Sequence, residues 1–107
     1  MAESSILAVI SKYLKALPHY GIHPSRAVLF GSFATERSYR WSDIDIVVVA
    51  SEFDRGRPFA LVKELWLATA EADDRIEPIP CGEREWEGES DRPIIEVARR
   101  DGIIIPA

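Results

Sequence analysis

Two short groups of residues in this chain have types and spacing suited to chemistry. Gly31-Ser32 closes one apolar run, and Asp43 and Asp45, one residue apart, open another. A glycine that ends a strand lets the backbone turn sharply and lets a ligand approach where a Cβ would stand. A serine after it, at the start of a helix, lies beside N–H groups and a positive dipole end that suit phosphate oxygens. Plain helix capping explains the same pair. In a strand, residues i and i+2 share a face, so Asp43 and Asp45 point one way and Ile44 and Ile46 the other. Their Cα atoms then lie roughly 6–7 Å apart. Carboxylates that close disfavour each other's ionisation unless a cation intervenes. Hard oxygen ligands suit Mg²⁺, which keeps some waters and takes further ligands from substrate phosphates. Turn capping or exposure to solvent accounts for an Asp-x-Asp equally well. A calcium loop does not fit, because its further Asp/Asn and its glycine are missing after Asp45.

These residues need strands to hold them. "RAVLF" (26–30) is a short apolar run bounded by turn residues, and "DIDIVVVA" (43–50) is rich in β-branched residues; both are expected as buried strands. Between them, "GSFATERSY" is expected to hold a short helix from Ser32. Ile6, Val9, Ile10, Tyr13, Leu14 and Leu17 recur at three- and four-residue spacing, which predicts an amphipathic helix with Ser4 or Ser5 as cap and Pro18 just beyond it. "HYGIHPS" reads as a turn and "SEFDRGRP" as a loop. A second helix is expected over 58–72, with Pro58 at its first position. "RIEPIP" (75–80) is expected as an edge strand because of its two prolines. "CGEREWEGE" (81–89) reads as a loop, "SDRPIIEVARR" as a last helix capped by Ser90, and "GIIIP" as a last short strand. Helices and strands alternate, so the class is α/β, a small mixed sheet flanked by helices.

The 107 residues are expected to form one domain, 1–107. With 47% hydrophobic and 29% charged residues the composition is that of a soluble globular chain. The net charge of −5 disfavours a nucleic-acid partner, since no Lys/Arg-rich block offsets it. A single cysteine, Cys81, rules out an internal disulfide and a cysteine metal cluster, in keeping with a reducing cytoplasm. No apolar stretch is long enough to span a bilayer, and the N-terminal residues show no signal peptide.

A phosphate cradle beside a carboxylate pair supplies the parts of phosphoryl or nucleotidyl transfer, in which a protein positions groups and neutralises charge. Gly31-Ser32, ten intervening residues and Asp43-Ile44-Asp45 resemble the signature of the nucleotidyltransferase superfamily that includes DNA polymerase β. The flanks "AVLFGSFA" and "SDIDIVVVA", with the small size, resemble its minimal nucleotidyltransferase (MNT) branch. The resemblance covers about residues 22 to 105. It implies a polymerase β palm-like fold in which Gly31 and Ser32 hold nucleotide phosphates; Ser42 is a further candidate nucleotide-binding residue, which also caps or braces the turn into Asp43. It implies that Asp43 and Asp45 hold two Mg²⁺ ions, one at the attacking hydroxyl and one on the triphosphate. The family's third carboxylate, usually Asp on a later strand, falls on Glu77, with Asp73 and Asp74 as further candidates; Glu77 also fits a solvated edge-strand residue. After the Gly-Ser, many relatives read Ala-Arg-Gly, whereas this chain reads Ala34-Thr35-Glu36-Arg37. Arg37 fits an exposed helix arginine better than a phosphate ligand.

The implied reaction moves a nucleoside monophosphate, AMP from ATP, to a hydroxyl and releases pyrophosphate. In the family, MNT proteins pair with a helical HEPN protein assigned as a toxin, so the resemblance implies an antitoxin of a HEPN/MNT toxin–antitoxin pair. The rival reading is a binding module that neutralises such a partner by occlusion, with Glu77 in place of the usual Asp. His19 and His23 read as ordinary loop histidines, Cys81 as a bystander, and Arg55 and Arg57 as solvated loop charges with triphosphate contact as the alternative. Phe59, Leu65, Trp66 and Leu67 read as mostly core. Yet Lys63, Glu64 and Glu71 are the only charges from 59 to 72, which also suits a contact between copies in a homo-oligomer.

Overall fold

A computed structural model describes residues 4–34, 42–88 and 90–107, with Ser32 by its backbone alone. The expected helix from Ser32 and the departure at Thr35, Glu36 and Arg37 lie largely or wholly outside these residues.

Helix α1 (Ser4–Ala16) turns Ile6, Ile10, Tyr13 and Leu14 into the core, the stripe expected from their spacing. It runs into a 3₁₀ turn, Leu17–Tyr20, so Pro18 stands inside a continued helical turn rather than after it. Gly21, at φ 82°, ends that turn in the left-handed region, where a Cβ is disfavoured. Strand β1 (Pro24–Phe30) starts two residues earlier than the apolar run suggests. It is followed by β2 (Ile44–Ala50), α2 (Phe59–Leu67), β3 (Ile76–Cys81), α3 (Glu83–Glu87), α4 (Pro93–Asp101) and β4 (Ile103–Pro106).

The four strands form one mixed sheet in the order β3-β2-β1-β4. β1 is antiparallel to β2 and to β4, while β2 and β3 run parallel. Because side chains alternate across a strand, the sheet has two apolar faces. Ala27, Leu29, Ile44, Ile46, Val48 and Ile76 pack with α1 and with Leu65 of α2. Val28, Phe30, Val47, Val49 and Cys81 pack with Trp86, Ile95 and Ala98 of α3 and α4. Burial of both faces is why the two inner strands read as almost unbroken apolar runs. Pro78 and Pro80 lie on β3, an edge strand, as their missing donors require. No helix among the described residues is long and apolar enough to cross a membrane.

Four expectations are corrected. Residues 81–89 are not all loop: α3 forms there, and its Trp86 closes the second apolar cluster. Ser90 does not cap the last helix. Arg92 occupies that position, and the Ser90 hydroxyl instead donates to Glu85 and accepts the Arg92 N–H. Helix 58–72 is divided into α2 and a 3₁₀ turn, Ala68–Glu71, with Pro58 as N-cap. Of its large apolar residues only Leu65 is core; Phe59 is 82% exposed, Trp66 46% and Leu67 49%.

Candidate active site

Three chain segments meet where β1 ends and β2 and β3 begin. β1 leads through extended Phe30 into a 3₁₀ turn, Gly31–Phe33, closed by the Ala34 N–H donating to the Gly31 carbonyl at 3.1 Å. Gly31 has φ 75°, a conformation that disfavours any Cβ. The space matters as much as the angle. A Cβ on Gly31 would stand 2.6 Å from Asp45 Oδ2, so the Asp45 carboxylate lies where that atom would be. The glycine of one motif and the aspartate of the other are thus in direct apposition.

Asp45 pairs in register with Phe30 on one side and with Glu77 on the other. Both carboxylates share the sheet face of Val47, Val49 and Cys81, as their parity dictates. Asp45 is half-buried, whereas Asp43 and Glu77 are exposed. The Asp45 carboxyl is pushed up to about 6, first by burial, then by a hydrogen bond with Glu77, and then by the charges of Glu77 and Asp43. None of the ion pairs among the described residues involves these three acids. Ser42 is buried directly ahead of Asp43. The Ile44 N–H donates to the Arg75 carbonyl at 2.8 Å, which ties the start of β2 to the segment before β3.

Residues 10–100 match the family model of a nucleotidyltransferase domain. The chain belongs to the nucleotidyltransferase domain family. No curated protein matches the chain. The match runs from the middle of α1 through most of α4, wider at its N-terminal end than the resemblance read from the motif.

Nucleotidyltransferase domains use a nucleoside triphosphate and a divalent metal. Among the described residues, no three His, Cys, Asp or Glu side chains gather closely enough to hold a metal ion by themselves. What is present is an all-oxygen pair, Asp45 and Glu77, with Asp43 close enough to disturb Asp45. That fits a hard dication which keeps waters and takes phosphate oxygens. It does not fit a structural metal.

The other candidates in this nucleotidyltransferase domain sort by position. Asp73, a candidate third carboxylate, is held by Arg75, whose Nε donates to Oδ1 at 3.0 Å and NH2 to Oδ2 at 2.8 Å. This pairing holds the Asp73 carboxyl below its ordinary range. Arg55 and Arg57 follow the far end of β2 from Asp45, which removes the triphosphate reading, and Arg57 lies 4.0 Å from Glu85. His23 pairs with Glu52 at 3.0 Å as a surface residue. The buried Cys81 thiol is pushed up to about 12, chiefly by burial, which leaves it inert as a nucleophile. Motif reading missed Arg75 and Phe33. The Arg75 guanidinium lies over the Phe33 ring, 5.8 Å from its centroid. Their only sequence signal is an Asp-Asp-Arg directly before a strand.

Proposed function

We propose that this chain is a Mg²⁺-dependent nucleotidyltransferase that transfers AMP from ATP to a hydroxyl of a partner protein in the cytoplasm, and that it acts as the antitoxin of a HEPN-like helical toxin. The observation that carries the enzymatic part is the Asp45–Glu77 pair, in register at the mouth of two parallel strands, with Asp45 against Gly31. Acids left to each other at a half-buried site mark a place where an external cation lowers the free energy.

In this reading the turn from Gly31 receives the triphosphate close to the sheet, since the glycine keeps the backbone low. Asp43, Asp45 and Glu77 would hold two Mg²⁺ ions. When bound, these ions neutralise the triphosphate and favour the deprotonated acceptor oxygen. The acceptor hydroxyl oxygen attacks the α-phosphorus, the bond from that phosphorus to the bridging oxygen breaks, and pyrophosphate leaves. The hydroxyl proton passes to a site carboxylate or to solvent. Ser42, buried behind Asp43, steadies the approach of that carboxylate.

A second reading is favoured by the outward face of α2. Phe59, Trp66 and Leu67 expose apolar surface there, which suits either occlusion of a partner without catalysis or pairing of copies in a homo-oligomer. Incubation of the chain with its partner, Mg²⁺ and labelled ATP separates the readings. Label on the partner that disappears with Asp43→Ala/Asp45→Ala is the expected result. Neutralisation that survives both substitutions, with no label transferred, leaves occlusion. Sedimentation over a range of concentrations tests pairing of copies.

A further inference from the structure

We propose that Arg75 is a positioning residue of the nucleotide site: clamped by Asp73 and laid over Phe33, it holds the Gly31–Phe33 turn in place against the start of β2. The inference deepens the function proposed above and rests on it for its catalytic meaning, while its structural content stands on contacts alone.

A single 3₁₀ turn of three residues is poorly stable by itself, because one hydrogen bond does not offset the fixing of its backbone. Among the described residues, the Gly31–Phe33 turn is closed by the bond from the Ala34 N–H to the Gly31 carbonyl. It also begins at a left-handed glycine, the residue with most backbone freedom to lose. Something outside must therefore fix it. Phe33 is buried, and the Arg75 guanidinium caps its ring.

Arg75 is itself fixed from three directions. Its Nε and NH2 groups fork onto the Asp73 carboxylate, its own N–H donates to Asp73 Oδ1 at 2.9 Å, and its carbonyl accepts from Ile44 N–H at 2.8 Å. Ile44 lies between Asp43 and Asp45, and Glu77 follows Arg75 by two residues. One residue therefore joins the phosphate turn to both carboxylate strands. A planar fork does this better than an ammonium, which binds a carboxylate as a point charge.

The test compares Arg75→Met, Arg75→Lys, Phe33→Leu and the double variant Arg75→Met/Phe33→Leu with the unaltered chain. Backbone order parameters of Phe33 and Ala34 are expected to fall from the rigid range of about 0.85 towards about 0.6 in Arg75→Met and Phe33→Leu, with Val47 and Val48 unchanged. Affinity for Mg·ATP, by calorimetry, is expected to weaken about five-fold in each, the scale of one lost cation–π contact. The double variant should be no worse than the poorer single, because both changes remove one brace. Arg75→Lys should fall between. Unchanged order parameters in Arg75→Met, or a double variant whose loss is the product of the singles, would overturn the proposal. Failure of the unaltered chain to bind Mg·ATP would contradict the proposed function instead; the order parameters still decide whether Arg75 holds the turn.

Discussion

Two groups of acids lie towards one face of the sheet and meet opposite fates. Asp45 and Glu77 stand where β2 and β3 begin, and Glu85 stands just past the end of β3. Glu85 is fully served by the protein: Arg92 donates to it through Nε at 2.8 Å and NH2 at 2.6 Å, Ser90 donates its hydroxyl, and Arg57 is nearby. Its carboxyl is held down at about 2, with the Arg92 hydrogen bond as the largest cause. Arg92 also donates to the Pro80 carbonyl and so fastens α3 and α4 to the sheet. Asp45 has Glu77 for a partner, and its carboxyl is pushed up to about 6. An acid used to build the fold comes with its cation, whereas acids gathered against each other carry strain that a proton or an outside cation relieves.

The contrast is broken most severely at Asp45. Asp45→Asn should lower nucleotidyl transfer by about a thousand-fold, roughly 4 kcal/mol of barrier, while the thermal midpoint holds or rises because a repulsion is lost. Label transfer and melting of the same sample check both halves. A large fall in stability would place Asp45 with the structural acids.

Glu85→Gln should do the reverse. Loss of a charge-assisted hydrogen bond to Arg92 costs about 2 kcal/mol of stability, read as a lower melting temperature, with Mg·ATP affinity unchanged. Gly31→Ala comes next. The left-handed φ costs about 1 kcal/mol, but the new Cβ also meets Asp45 Oδ2, so transfer should fall further than stability does.

The smallest effect is in pH. The folded Glu85 carboxyl lies below its unfolded value of 4.5, so its stabilisation is complete above that value and is lost as pH falls towards about 2. Asp45 has the opposite sign. Its folded value is above 3.8, so the folded state binds more protons and stability declines as pH rises from there towards about 6. Acid melts of Glu85→Gln and Asp45→Asn should each lose one of these two slopes.

Much of this was legible from residue order. The period of Ile6, Ile10, Tyr13 and Leu14 placed α1, the β-branched run placed β2, and Pro78 with Pro80 placed β3 at an edge. Gly31, Asp43 and Asp45 stood out because their types are awkward beside apolar strands unless a ligand uses them. What stayed hidden depends on contacts between distant positions. Arg75 reads as an ordinary charge until Phe33 is folded beneath it. Helix α3 is five residues between two glycines, too short to show a period. The apolar face of α2 points outward, and a helix apolar on most sides does not announce which side is buried.

Nuclear magnetic resonance of the chain with Mn²⁺ and ATP tests most directly whether a divalent ion settles at the unserved acids. Paramagnetic broadening should be strongest at the amide signals of Asp45, Glu77 and Gly31 and weaker at those of Ala50 and Glu85. Broadening centred on Glu85, or none at Asp45 and Glu77 with nucleotide in excess, would contradict the account.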